Sequence, residues 1–267
     1  SGMLHYSFYF FFLFYSFVLF ILLLFPANDN LCFDKYGFPT YNTIGCMRTA
    51  NLYQQKGDAM ELYIVRHGQT EWNKEKRLQG STDIPLNDAG RHLAQLSGEA
   101  LANTKFDRIY SSPLSRAYET ACLFRGNQSV DIITDNRLRE LCFGEYEGQS
   151  ITELRTITND TFRYFFEHPE LYQPAPSGET LEHLCERAAS FLTEVIEPLE
   201  PTCNRVMIVA HGAINKALMT HIKQLALSEF WSGGLQRNCN VILLRLEHQR
   251  YEVLDETHIF YSESAAQ

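Results

Sequence analysis

From residue 60 onward the chain alternates short apolar runs with longer stretches of helical period. Glu61–Val65 is a compact apolar run closed by Arg66-His67-Gly68, and it predicts a first strand. Asn87 stands at a capping position ahead of a helix running to about Ala102, with Leu93, Leu96 and Leu101 on its apolar side. Arg108–Ser111 predicts a second strand, and Pro113 then falls at the first turn of a helix through about Phe124. Asp131–Thr134 reads as a third strand, and residues 150–172 read as helical and rich in aromatics. Pro174, Pro176 and Gly178 break that stretch, and a long helix follows from about Thr180 to Val195. Val206–Ala210 is a continuous apolar strand ending at His211-Gly212, with a helix over about 213–225 behind it. Asn240–Glu247 and Arg250–Glu256 alternate like an antiparallel hairpin. Strands alternating with helices predict an α/β fold: a three-layer sandwich, its sheet mostly parallel, with helices on both faces and an antiparallel edge strand.

Residues 1–59 do not share this pattern. Ser1-Gly2 before Met3 reads as the remnant of a cleaved tag. Tyr6–Phe25 is an uncharged run of 20 residues, long enough as a helix to span about 30 Å of hydrocarbon. Eleven of those 20 are Phe or Tyr, and no Lys or Arg occurs before Lys35, so the flanking charge expected of an anchor is missing. Residues 26–59 show neither helical nor strand period. The reading favoured here is translated upstream sequence with Met60 as the natural start; the other is a genuine anchor or signal. The expected division is therefore a non-domain extension, 1–59, and one catalytic domain, 60–267, whose 208 residues suffice for a well-buried core.

Charge narrows the function classes. The 267 residues carry 23 Lys+Arg against 32 Asp+Glu, a net charge of −9, which disfavours nucleic acid as a partner. Seven cysteines form no CxxC pair, which argues against a disulfide framework and a thiolate zinc site. Cys122, Cys142, Cys185, Cys203 and Cys239 are expected to be reduced packing or surface thiols.

In open α/β sheets, ligands bind beyond the carboxyl ends of the strands. The first strand ends there in Arg66-His67-Gly68, the second runs into Ser112–Arg116, the late strand ends in His211-Gly212, and Arg137–Glu140 follows the third. Two imidazoles beside two or more guanidinium groups suit a dianionic oxyanion, most simply a phosphoryl group. Taken singly, each residue has a bland reading: a hydrogen-bonded structural His, a surface ion pair for Arg116, a solvated loop carboxylate for Glu140. Those readings must all hold together, and both His67 and His211 share the same apolar-strand-His-Gly setting. His5, His92, His168, His183, His221, His248 and His258 lack it and read as surface or packing residues.

The run Leu62–Asn73, with its Arg66-His67-Gly68-Gln69-Thr70-Glu71-Trp72-Asn73, resembles the signature of the histidine phosphatase superfamily, which includes the cofactor-dependent phosphoglycerate mutases. The resemblance continues through Leu78–Gly80, Pro85–Gly90, Ser111–Thr120, Leu138–Gly148, Pro176–Thr180 and Val209–Gly212, covering 60–267 and none of 1–59. It implies that His67 is the nucleophile, and that Arg66, Arg116 and His211 hold the phosphate. It implies that Glu140 protonates the leaving oxygen and that Asn73 contacts the phosphate. Gln79, Gly80 and Gly212 would complete the substrate site. His67 must be neutral to attack, so its other ring nitrogen is expected to donate to a backbone carbonyl.

Hydrolysis and mutase chemistry share the phosphohistidine. The mutases resembled here carry extra basic residues after the Glu block, whereas Ile151–Ser177 holds only Arg155 and Arg163 and is rich in Phe and Tyr. The expectation is therefore a metal-independent phosphomonoesterase with no cofactor. Its substrate would be a small-molecule phosphate ester, partly apolar or ring-bearing. The alternatives are a phosphoglycerate mutase, an α-ribazole phosphatase as a specific substrate case, and a non-catalytic phosphate-binding protein. The aromatic stretch is either a lid that selects the leaving group or core packing. No membrane partner is expected unless 6–25 is a real anchor; the expected setting is the cytoplasm, with a homodimer left open.

Overall fold

The computed structural model describes residues 31–33, 39–41, 59–156 and 161–262. Ser1-Gly2 and the apolar run Tyr6–Phe25 lie outside them. Among the described residues no helix is long and apolar enough to cross a membrane. Contacts divide the chain into Ser1–Gln55 and Lys56–Gln267. In the first unit β1 (Leu31–Phe33) pairs antiparallel with β2 (Pro39–Tyr41), two short strands that sequence period does not announce.

In the second unit six strands form one sheet: β3 (Met60–Arg66), β4 (Arg108–Ser111), β5 (Ile132–Thr134), β6 (Arg205–Ala210), β7 (Val241–Glu247) and β8 (Arg250–His258). Their spatial order is β5-β4-β6-β3-β7-β8. The first four run parallel, β7 is antiparallel to β3, and β8 is antiparallel to β7. β6 sits between β3 and β4, so Ile64 pairs with Ile208 and Ile208 with Tyr110. This register brings the carboxyl ends of β3, β4 and β6 to one edge.

The two faces of β3 and β6 feed two cores. Leu62, Ile64, Val206 and Ile208 pack with Leu184 and Ala188 of α6 (Leu181–Phe191) and Ile214 and Leu218 of α7 (Gly212–Lys223). Val65, Met207 and Val209 pack with Leu93 of α2 (Asp88–Ala100) and Ala117, Ala121 and Phe124 of α3 (Ser115–Arg125). Helices therefore cover both faces, as expected. β8 shows the exposed–covered alternation of an edge strand.

Local differences have local causes. Asn87 caps α2 as expected, its side chain accepting from Gly90 N at 2.8 Å. Pro113 lies before the cap Leu114 instead of in the first turn, because Ser112 Oγ accepts from Leu114 N at 3.3 Å and shapes a turn there first. The long helix predicted to Val195 changes at Leu192–Ile196 into a π turn; Pro198 follows, and it has no N–H with which to continue the ladder. The described residues of 150–172 contain only short pieces, including α4 (Ile151–Leu154), α5 (Tyr164–Glu167) and a 3-10 turn at Pro169–Leu171. A four-residue helix, α1 (Glu71–Lys74), is closed by a capping box between Thr70 and Asn73.

The first turn of α2 presses against the backbone just after His67. Asn87 N donates to Gln69 O at 2.9 Å, and a Cβ added at Gly90 would sit 2.2 Å from Gln69 O and 2.5 Å from Gln69 N. Gly90→Ala is therefore expected to destabilise the fold by about 1–3 kcal/mol, since the atoms in the way are backbone. The midpoint of urea unfolding measures it.

Candidate active site

His67 lies in the turn that leaves β3 and is buried. Its Nδ1 stands 2.7 Å from Gly68 O, so Nδ1 carries the proton and donates, leaving Nε2 with a free lone pair. The turn is held from α3, where Gly68 N donates to Thr120 Oγ1 at 3.0 Å and Thr120 Oγ1 donates to Arg116 O at 2.6 Å. Burial, then the charges of Arg116 and Arg66, hold His67 well below the ordinary imidazole value against a weaker pull from Gly68 O.

Arg116, on the first turn of α3, is 0 % exposed. It donates through Nη1 to Thr82 O at 2.8 Å, through Nη2 to Gly80 O at 2.7 Å and through Nε to His211 Nδ1 at 3.2 Å. Burial lowers it to about 10, which leaves it protonated near neutral pH. His211 accepts from Arg116 on Nδ1, so its proton is on Nε2, which donates to Ser112 Oγ at 2.8 Å. Burial and then Arg116 push His211 well below its ordinary value. Its ring centroid is 5.0 Å from that of His67.

Glu140 meets this group from the segment after β5. Its Oε1 accepts from Leu141 N at 3.0 Å, Ala213 N at 3.1 Å and Ile214 N at 3.1 Å; among the described residues Oε2 accepts only from Ala213 N, at 3.1 Å. The carboxyl thus caps the N-terminus of α7, where free N–H groups favour negative charge. A Cβ added at Gly212 would meet Leu235 Cδ1 at 2.8 Å and stand in ordinary contact with Glu140 Oε2 at 3.6 Å and Arg66 Nε at 3.8 Å, so both polar groups lie directly over the helix end. Arg66 donates through Nη1 to Gln236 O, while its Nε is buried with no hydrogen-bond partner among the described residues. A buried donor left open beside a neutral imidazole is a place prepared for an anion.

Glu147 and Asn238 support this cradle. Glu147 accepts from Ser81 N at 2.8 Å and Thr82 N at 2.9 Å, pinning the loop whose carbonyls hold Arg116. Gly80 has φ +57, and a Cβ there would sit 2.1 Å from Glu147 Oε1, so glycine is required. Thr70 Oγ1 donates to Gln79 Oε1 at 2.9 Å. Asn73 Oδ1 accepts from Thr70 N at 3.1 Å and from Asn238 Nδ2 at 3.3 Å; Asn238 Nδ2 also reaches His67 O at 3.0 Å.

One cavity is lined by Arg66, His67, Asn73, Gln79, Gly80, Arg116, Glu140 and Gly212. Its remaining wall is Arg77 and the apolar Leu78, Phe143, Ile151, Phe165, Phe166, Ala213, Trp231 and Leu235. All nine expected site residues therefore converge on one place. Eight line the cavity, and His211 is engaged through both ring nitrogens with Arg116 and Ser112. The supports Ser112, Thr120, Glu147 and Asn238 were not singled out in the sequence. Glu147 and Ser112 fall inside blocks already noted, whereas Asn238 carries no local signal. In the aromatic stretch Phe162, Phe165 and Tyr172 are buried in the core, the packing role weighed for it, and Phe165 and Phe166 also line the cavity. Cys122, Cys142, Cys185, Cys203 and Cys239 are free thiols, as expected.

Comparison with known proteins agrees with this geometry. A putative phosphoserine phosphatase 2 of Hydrogenobacter thermophilus is 34% identical over 189 residues, covering 71% of this chain and 91% of the relative. A probable phosphoglycerate mutase GpmB of Salmonella arizonae is 32% identical over 195 residues, 73% of this chain and 88% of the relative. The solved structure of Bacillus stearothermophilus YhfR superposes with a TM-score of 0.70 at 32% identity, covering 76% of this chain and 99% of that one. The family model for the histidine phosphatase superfamily (branch 1) matches residues 62–257, and the chain belongs to that superfamily.

Proposed function

We propose that the protein is a metal-independent phosphomonoesterase acting through a phosphohistidine on His67. The observation that carries this reading is the contact of His67 Nδ1 with Gly68 O at 2.7 Å: a carbonyl only accepts, so the proton belongs on Nδ1 and the neutral ring has Nε2 free in the cavity that Arg66 and Arg116 also line. In the first step the Nε2 lone pair bonds to phosphorus as the ester P–O bond breaks, and the leaving oxygen takes a proton from Glu140. Oε2 is the oxygen for that proton, because it holds one N–H contact where Oε1 holds three. Arg66, Arg116 and Asn73 bind the equatorial oxygens, and His211 keeps the Arg116 guanidinium aligned. In the second step Glu140 takes a proton from water, the water oxygen bonds to phosphorus, and the N–P bond breaks to release inorganic phosphate. Positioning and charge stabilisation do most of this work, as phosphoryl transfer requires.

The apolar wall favours a leaving group that is partly apolar or ring-bearing. Hydrolysis is preferred to the mutase reaction because Arg155 stacks on Phe166 at 4.4 Å and Arg163 on Tyr164 at 4.7 Å, and neither lines the cavity. The phosphatase name of the Hydrogenobacter relative supports the same choice; the Salmonella relative keeps the mutase reading in view. Phosphoserine and α-ribazole phosphate are the first esters to include in a substrate panel read by phosphate release. Isomerisation of 3-phosphoglycerate with a 2,3-bisphosphoglycerate primer, faster than phosphate release from any ester, would reverse the preference.

Three outcomes test the chemistry. His67→Ala should abolish hydrolysis of every ester, and turnover near the wild-type rate in that variant would remove the assigned nucleophile. Activity should survive EDTA and be inhibited by vanadate; loss on chelation, restored by Mg²⁺, would contradict the metal-free route. The pH dependence has a definite sign. Reaction needs neutral His67, and its value is depressed below 6.5, so with an ester that needs no general acid the acid-side loss of rate comes as pH falls through that lower value. Single-turnover phosphorylation by p-nitrophenyl phosphate should therefore stay on its plateau below pH 6.5, and Arg66→Gln should move the acid limb upward.

A further inference from the structure

The segment that carries Glu140 is gripped from behind by a partly buried ion pair. Arg187, on α6, and Glu179 are 13% and 12% exposed at their side chains, with Arg187 Nε 2.7 Å from Glu179 Oε1 and Nη2 2.9 Å from Oε2. The same guanidinium donates through Nη1 to Arg137 O and Arg139 O, each at 2.6 Å, and through Nη2 to Glu140 O at 3.3 Å. Glu179 closes the other side: its Oε2 accepts from Cys142 N at 3.3 Å, and its backbone N donates to Cys142 O at 2.7 Å. The pair thus touches the main chain at 137, 139, 140 and 142, on both sides of the acid. Burial works against the charge on Glu179, yet its bonds to Arg187 prevail and hold its carboxyl below the ordinary value. Neither side chain lines the active-site cavity.

We infer that Glu179 and Arg187 are positioning residues that fix the direction of the Glu140 carboxyl for proton transfer to the leaving oxygen. This rests on Glu140 being the general acid. Only a planar fork can fill this role, because it chelates one carboxylate and still reaches three converging carbonyls, which an ammonium cannot do. A small rotation of the 139–142 backbone would carry the carboxyl away from the leaving oxygen without moving His67, Arg66 or Arg116, which hang from other elements. The loss should therefore depend on how much the leaving group needs a proton.

The test compares two esters in Arg187→Lys. p-Nitrophenyl phosphate releases a stable anion and needs little help from an acid, whereas a simple alkyl phosphate needs the proton. Because Glu140 also serves hydrolysis of the phosphohistidine, the readout is single-turnover phosphorylation of His67: since a positioned acid contributes roughly 10²–10⁴-fold, its rate with the alkyl ester should fall by about 10–100-fold while its rate with p-nitrophenyl phosphate changes by less than about threefold. Glu140→Gln on the same two esters is the reference for the underlying reading. If it shows no difference between the esters, the assignment of the acid fails. If it shows the difference and Arg187→Lys lowers both esters equally, or neither, the positioning inference is overturned. Thermal melting confirms that the variant is folded. Should Arg187→Lys not fold, Glu179→Gln, which keeps a side chain of the same shape, is read in the same way.

Discussion

The site depends on a guanidinium group kept in the interior with no carboxylate among the described residues bonded to it. Arg116 is wholly buried, and its hydrogen bonds go to two carbonyl oxygens and one imidazole. Taking a cation out of water costs several kcal/mol, and peptide dipoles return only part of that. The remainder is available to an arriving dianion, which is why such a cradle binds phosphate and stabilises its transfer. The same field acts on the histidines. Burial first and that field second disfavour their charged forms, so imidazoles that would otherwise be partly protonated near neutral pH are kept neutral.

Such an arrangement has to be held rigidly, because every component would gain by moving toward water or a counter-ion. The restraint is built in layers. Glu147 fixes the 80–82 loop, that loop offers its carbonyls to Arg116, and Arg116 sets the tautomer of His211, which Ser112 completes. On the other side Asn238 reaches His67 O and Asn73, while Gln236 O receives Arg66. The carboxyl groups of Glu140 and Glu147 are occupied with backbone N–H groups, and among the described residues neither is hydrogen-bonded to Arg66 or Arg116. Glu147 satisfies a loop and Glu140 caps a helix.

The sequence disclosed the parts that are local. Strands ending in His-Gly, a capping Asn87 and the positions of the charged residues relative to strand ends are read from a few neighbouring residues. Parallel topology then brings Arg66-His67, Ser112 and His211 to one edge by geometry alone. The supports were not legible, because they depend on which distant segments meet. Arg187 lies 47 residues from Glu140, and Asn238 lies 171 from His67. The aromatic stretch misled for another reason. Phe162, Phe165 and Tyr172 are drawn into one core from three short pieces, so tertiary burial replaces the continuous helix that their spacing suggested.

That stretch also couples selectivity to stability. Phe143 and Phe165 belong to the main core and to the cavity wall, with rings 5.1 Å apart, and Trp231 packs on Phe165 at 5.1 Å while donating its indole N–H to the Phe165 carbonyl. A substitution that enlarged the cavity at Phe165 would therefore also leave a hole in the core, and its cost would be counted in both. Trp231 and Leu235 lie on the wall side of the same loop that presents Gln236 O to Arg66. One short segment thus supplies part of the apolar wall and holds one arginine of the cradle. Rim positions such as Ile151 and Leu235, which stand outside the buried core, are where the wall can vary while the cradle stays in place.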